Sequence, residues 1–187
     1  MPPRYTTTQA VADDRNIVLS GKNAQDLTQW IEAAETEIDR HCHRRFSPGP
    51  TEARAFPVRR ARDVLWLPDM GAVPTLVEMR DGLDCPWHTV TDWEAQEPQE
   101  EDWPYEALVR PRGWQPPSRS QRRIATVRVT VRWDWPGQCP EDVSGASRIL
   151  SHRLSRRYAD PIMAAGGLLG DPDVKRILIP YVKVRLR

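Results

Sequence analysis

The sequence predicts an α+β fold in which helices pack with a small antiparallel β-sheet, with a long irregular loop and an extended C-terminal tail. Two segments carry this prediction. Residues 26–42 have the apolar spacing of an amphipathic helix, and residues 127–135 alternate apolar and polar side chains. Short apolar runs bounded by turn residues lie between them. The order helix, short strands, loop, strand, helix and tail contains no internal repeat, which is typical of α+β proteins.

The first predicted helix begins near Asp26, a residue type that caps helix N-termini. Apolar residues recur along one face, and arginines in the last turns oppose the helix dipole favourably. The stretch SPGP at residues 47–50 then ends the helix. The apolar positions are Leu27, Ile31, Ala34, Ile38 and Cys42 or His41, and the arginines are Arg40, Arg44 and Arg45.

The strongest predicted strand is VRVTVRWDW at residues 127–135, which ends at a Pro136-Gly137 turn. A second helix opens with Pro140 and two acids, which suit a first helical turn, and ends before Pro161. Weaker strands are predicted at residues 53–58, 63–68, 73–82 and 86–93.

Three regions are expected: an N-terminal arm at residues 1–25, a core at residues 26–161, and a docking tail at residues 162–187. The core contains an irregular loop at about residues 94–123, in which six acids are followed by five arginines. The acidic part of the loop is either a solvated segment, a surface that faces a basic partner, or a contact with the arginine-rich part of the loop in an adjacent copy. Opposite charges on one loop suit head-to-tail packing in a ring. The inter-subunit candidates are Glu100, Glu101, Asp102, Arg119, Arg122 and Arg123.

The composition indicates a soluble protein made in a cytoplasm. Cys42, Cys85 and Cys139 are odd in number and widely spaced, which argues against a disulfide framework and for a reducing compartment. No apolar run approaches the length of a membrane span, and the N-terminus lacks the apolar region of a secretory signal. The eighteen prolines predict many turns and extended segments, and the formal net charge of +1 indicates no particular partner.

No constellation of residues predicts catalysis. His41, Cys42 and His43 are consecutive, so on a helix they point in different directions rather than forming the spaced pairs that zinc requires. GGLLGDPD at residues 166–173 lacks the lysine and hydroxyl residue of a phosphate-binding loop. The protein is therefore predicted not to be an enzyme, with no catalytic residue, no metal and no cofactor.

The C-terminal part is basic, with nine bases against three acids between residues 148 and 187. This charge fits a solvated face, a tail that docks on a partner, or contact with nucleic-acid phosphates. The tail YVKVRLR at residues 181–187 alternates like a strand, which favours docking by addition to a neighbour's sheet. The alternative function is a small nucleic-acid-binding protein that uses this basic half without reading sequence, because no recognition motif is present.

Two motifs resemble the head–tail connector, or adaptor, proteins of long-tailed bacteriophages. The first is CHRRF at Cys42 to Phe46, and the second is VRVTVRWDWPGQCPEDV followed by an arginine-rich helix. The helix positions that match are Val143, Ala146, Leu150 and Arg153. The resemblance covers about residues 26–60 and 124–160, and it leaves the loop and the tail unexplained.

The resemblance implies a structural virion protein without enzyme activity. Such a protein forms a ring of about twelve copies under the capsid portal, contacts the next neck or tail-completion protein, and passes DNA through its channel without reading it. It belongs to the virion neck and is assembled in the bacterial host cytoplasm. The expected portal-docking residues are Arg176, Tyr181, Val182, Lys183, Val184, Arg185, Leu186 and Arg187.

Overall fold

The computed structural model describes residues 5–58, 63–80, 82, 85–114, 125–157 and 172–183. The chain divides into two compact units. The helical unit combines residues 1–47 with 138–187, and the sheet unit is residues 48–137. The helices are α1 Thr8–Arg15, α2 Gly21–Cys42, α3 Glu141–Arg157 and α4 Pro172–Leu178, followed by a 3₁₀ turn at Ile179–Tyr181. The strands are β1 Pro48–Val58, β2 Val64–Met70, β3 Leu76–Arg80, β4 His88–Thr89, β5 Glu94–Ala95, β6 Tyr105–Val109 and β7 Ala125–Asp134. The predicted α+β class is confirmed.

The helical unit is built on the packing of α2 against α3, with α1 and α4 also packed on α3. The predicted apolar face of α2 is buried, as are Val143, Ala146, Leu150 and Leu154 of α3. Small residues such as Ala34, Ala146 and Ser147 are fully buried and permit close approach of the backbones. The other buried side chains of this unit include Leu27, Ile31, Ile38, Cys42, Val143, Leu150, Leu154, Val174 and Leu178.

Within the N-terminal arm expected at residues 1–25, Thr8–Arg15 form the helix α1. The Thr7 side chain accepts a hydrogen bond from the Ala10 N–H at 3.1 Å, and Asn16 ends the helix in the left-handed conformation. Val11 and Ala12 are buried. The start of α2 was also predicted too late: the helix begins at Gly21 after Ser20, not near Asp26.

The sheet unit is organised around β7, which pairs antiparallel with β1 on one side and with β3 and the end of β2 on the other. The remaining strands extend the sheet in the order β4-β3-β7-β2-β6-β5. The predicted alternation of β7 is confirmed, because its apolar side chains are fully buried and form the centre of the core. These are Val127, Val129, Val131 and Trp133.

The irregular loop predicted at about residues 94–123 is wrong for β5 and β6. β6 pairs with β2, and its Ala107 and Leu108 are buried. The Leu108 carbonyl also accepts a hydrogen bond from the Trp114 indole at 3.2 Å. Tyr105–Val109 lacks a clean alternation, so its strand structure depends on a partner distant in sequence.

The turn after β7 is fixed by β2 and the residues that follow it. Asp134 adopts a left-handed conformation with φ 66°, and the Arg132 guanidinium donates to the carbonyl oxygens of Gly71 and Pro136, both at 2.7 Å. The Gly71 N–H donates to the Arg132 carbonyl at 2.8 Å. A Cβ on Gly71 would lie 3.0 Å from the Trp135 carbonyl oxygen, so the close approach of these backbones favours glycine.

Candidate docking surfaces

The C-terminal segment is anchored on the end of α2. The Tyr181 ring packs edge-on against Phe46 with ring centroids 5.7 Å apart, and its hydroxyl lies 3.4 Å from the Asp142 carboxylate. The Lys183 N–H donates to the Cys42 carbonyl at 2.9 Å, which satisfies one of the carbonyls left open at a helix C-terminus. Tyr181 lies in the 3₁₀ turn Ile179–Tyr181, so the strand-like alternation that begins at this residue does not make it part of a strand.

Tyr5 packs against the same Phe46 ring, with centroids 5.8 Å apart. Its hydroxyl donates to the Asp39 carboxylate and accepts the Phe46 N–H at 2.9 Å. Burial, reinforced by Asp39, holds the pKa of Tyr5 far above its ordinary value. Phe46, the last residue of CHRRF, thus joins the N-terminal segment, the end of α2 and the C-terminal segment. The sequence analysis missed Tyr5, because a lone tyrosine in a polar stretch gives no periodic signal.

The predicted portal-docking residues lie in different environments. Arg176 is exposed on α4, whereas Tyr181, Val182 and Lys183 are half-buried. Next to Arg176, Lys175 is exposed, and 67% of the Ile179 surface is accessible. Val184, Arg185, Leu186 and Arg187 lie outside the described residues. Tyr181 and Lys183 therefore hold the described end of the C-terminal segment in place. Docking on a portal stays a prediction.

The acidic turn, residues 96–104, connects β5 and β6 and is ordered. The Trp103 N–H donates to the Glu100 carbonyl at 3.0 Å, and the Trp103 ring packs on Trp135 with centroids 5.9 Å apart. The turn exposes the predicted residues Glu100, Glu101 and Asp102, together with Glu97. Arg119, Arg122 and Arg123 lie outside the described residues. A fixed turn with four exposed acids can present negative charge to a basic partner.

An arginine–tryptophan cluster lies on the face of the sheet that points away from the core. The guanidinium groups of Arg80 and Arg128 lie 4.5 Å and 4.3 Å from the Trp87 ring centroid. Arg128 also donates two hydrogen bonds to the Glu78 carboxylate, at 2.8 Å and 2.9 Å, and this contact lowers the pKa of Glu78. The bidentate pair compensates much of the charge of Arg128. The sequence analysis missed the cluster because it depends on the cross-strand pairing of Glu78 with Arg128.

The cysteine and histidine residues of the CHRRF region are oriented differently, as predicted: Cys42 is buried and His43 is exposed. Burial raises the pKa of the Cys42 and Cys139 thiols to about 12, which disfavours the thiolate that a nucleophile requires. Within the part of the chain that the structure describes, no three His, Cys, Asp or Glu side chains are grouped to hold a metal ion. None of the described helices is both long enough and apolar enough to span a membrane.

We expect the stability of the protein to fall as pH rises from 8 to 10. Cys42 and Cys139 ionise near pH 9 when exposed but keep their protons in the folded state. As pH rises, ionisation therefore lowers the free energy of the unfolded state before that of the folded state. Each such group removes up to about 1.4 kcal/mol of unfolding free energy per pH unit above its unfolded pKa. Urea unfolding with reductant at pH 8, 9 and 10 measures the slope. Cys139→Ser should have a shallower slope, and an unchanged slope would contradict the assignment.

No family model matches the sequence, and no curated protein matches it. The solved neck of an empty gene transfer agent (GTA) particle, computed with C6 symmetry, contains a chain with a TM-score of 0.58 and 15% identity. The match covers 96% of this chain and 90% of that one. The chain has the fold of a GTA neck protein.

A second solved neck, that of the native GTA particle computed with C12 symmetry, matches with a TM-score of 0.51 and 16% identity. It covers all of this chain and 97% of the other. At these identities the similarity concerns the fold. The resemblance to head–tail connectors suggested by CHRRF and WDWPG is confirmed at that level.

Proposed function

We propose that this protein is a structural component of a phage-like neck. Its copies form a ring that joins the capsid portal to the tail or to the next neck protein, and DNA passes through the ring. The observation that carries the proposal is the fold shared, over nearly the whole chain, with proteins of solved necks computed with C6 and C12 symmetry. The protein acts without catalysis, by presenting surfaces to its neighbours.

The described surfaces support a role in assembly. A ring requires two different surfaces on each copy, because its contacts are head-to-tail. The acidic turn is ordered and exposes four acids, whereas the bases Lys175 and Arg176 of α4 are exposed in the helical unit. The contacts of Tyr181 and Lys183 hold the chain at a defined place just before residues 184–187. A tail that is anchored at one end in this way loses less conformational entropy on docking than a freely moving one.

The test mixes the purified chain with the portal ring encoded by the same genome and measures the complex by native mass spectrometry. We expect near-equal numbers of chains and portal subunits. A chain that ends after Lys183 keeps the Tyr181 and Lys183 contacts but loses two arginines, and we expect it to fold and to dock at least tenfold more weakly. A full-length variant with Lys22→Gln and Arg112→Gln loses the same charge elsewhere and should dock normally.

One outcome would contradict the docking role of the tail, and another would contradict the neck role itself. Normal docking of the shortened chain would remove the tail from the interface and leave the neck role intact. Absence of any portal complex, combined with salt-sensitive DNA binding by the free chain, would instead favour a nucleic-acid-binding protein.

A further inference from the structure

β1 is a long edge strand. Pro48–Val58 pairs along one side with β7, and no strand among the described residues pairs with its other side. β4 and β5, which end the rest of the sheet, are only two residues long each. A strand edge presents unpaired backbone N–H and C=O groups, which can pair with another extended chain. Among the described strands of the sheet unit, β1 therefore offers the longest edge that could accept one.

The prolines that prevent pairing along a sheet edge lie near the ends of β1. Pro48, Pro50 and Pro57 cannot donate a backbone hydrogen bond, and the register with β7 is irregular between Pro48 and Thr51. The centre, residues 51–56, contains neither proline nor lysine. Thr51, Glu52, Ala53 and Ala55 are all exposed. The centre of the strand thus remains accessible over several consecutive residues.

The charged side chains at the centre of β1 are spaced so that two antiparallel copies would bring opposite charges together. Glu52 and Arg54 project from the same side of the strand, two residues apart, and form an ion pair at 2.7 Å. If a second β1 runs antiparallel with Ala53 opposite its own copy, Glu52 lies opposite the partner's Arg54, and Arg54 opposite the partner's Glu52. A parallel arrangement in register would place like charges side by side, which is unfavourable.

We propose that two copies of the free chain associate through antiparallel pairing of their β1 edges, centred on Ala53. Such a contact is two-fold symmetric and closes on itself, so it does not generate a ring. It therefore goes beyond the neck role and belongs to the chain before ring assembly. Pairing would keep this edge from joining other extended chains while the protein is free.

Cysteine cross-linking tests the register. In Ala53→Cys, the two thiols lie directly opposite each other, where Cβ atoms are about 5 Å apart, so mild oxidation should yield a covalent dimer. Thr51→Cys lies on the same side of the strand but faces the partner's Ala55, so it should not cross-link with itself. An equal mixture of Thr51→Cys and Ala55→Cys should form the mixed dimer. The wild-type chain, with Cys42 buried and Cys85 and Cys139 half-buried, gives the background.

Charge reversal tests the complementarity. Glu52→Arg and Arg54→Glu each place like charges opposite one another twice per dimer, and each should raise the dissociation constant about tenfold in sedimentation velocity. The double variant restores opposite pairs and should recover most of the affinity, although Arg54 no longer stacks on Trp133. Exchanging Glu37 and Arg40, an ion pair on α2, is the matched control and should leave association unchanged.

The proposal is overturned by a chain that stays monomeric at all concentrations, or by Thr51→Cys that cross-links as well as Ala53→Cys. Failure of the double variant to recover association would also overturn it. None of these results bears on docking to a portal, which is measured separately.

Discussion

Replacing Trp133 by alanine is expected to lower the unfolding free energy of the protein by about 3–5 kcal/mol. The side chain is fully buried in the centre of the sheet core and contacts Phe56 with ring centroids 5.6 Å apart. Its indole N–H donates to the Glu52 carbonyl at 2.9 Å, and this hydrogen bond links β7 to β1. Truncation leaves a large cavity and removes that donor. Urea unfolding followed by circular dichroism measures the loss.

Two controls separate the causes. Trp133→Phe keeps an aromatic ring but removes the N–H donor, so it should cost less than the alanine variant. Trp66→Ala removes the same side chain from β2, where 49% of the tryptophan surface is exposed, and should cost no more than about 1 kcal/mol. Equal losses for Trp133→Ala and Trp66→Ala would contradict the position of Trp133 at the centre of the core.

The sequence predicts best those elements whose burial follows a local period. β7 is recognisable because every second residue from Val127 to Trp133 is apolar, and the structure buries all four. The faces of α2 and α3 are recognisable for the same reason. The turn after β7 is predicted from Pro136-Gly137, although one of the two Arg132 hydrogen bonds that fix it is accepted by the Gly71 carbonyl, 61 residues away.

The elements missed by the sequence analysis depend on partners distant along the chain. α1 has eight residues, is polar overall and buries only Val11 and Ala12, so packing on neighbouring helices rather than intrinsic propensity supports it. β6 becomes a strand by pairing with β2, which no local pattern reveals. The periodicity of apolar residues along one segment carries no information on contacts with distant segments.

The candidate surfaces were predicted unevenly for a related reason. Glu100, Glu101 and Asp102 are exposed, as expected of clustered acids, but the order of their turn comes from Trp103 packing on Trp135. Tyr181 was assigned to docking from the alternation of the tail and from the resemblance to connector proteins, and neither shows that its ring packs on Phe46. The edge position of β1, which carries the self-association proposal, is a property of topology and is not visible in its sequence.

Replacing Tyr5 by phenylalanine is expected to lower the unfolding free energy by about 2–4 kcal/mol near neutral pH. The change keeps the ring against Phe46 but removes the hydroxyl that donates to Asp39 and accepts the Phe46 N–H. The contact with the Phe46 N–H is buried, and the half-buried contact with Asp39 involves a carboxylate, so both are stronger than exposed hydrogen bonds. Tyr181→Phe is the matched control on the other side of Phe46. Its hydroxyl contact is exposed, so the loss should be below about 0.5 kcal/mol.

The pH dependence gives this prediction a second, independent signature. Because the fold raises the pKa of Tyr5, the folded state keeps a phenolic proton that the unfolded state releases above pH 10. The contribution of the hydroxyl is thus fully present below pH 10 and declines as pH rises further. The stability difference between the wild type and Tyr5→Phe should narrow between pH 10 and 11 in urea unfolding. A difference that stays constant over this range, or a loss no larger than that of Tyr181→Phe, would show that the Tyr5 hydroxyl does not join the N-terminal segment to the end of α2.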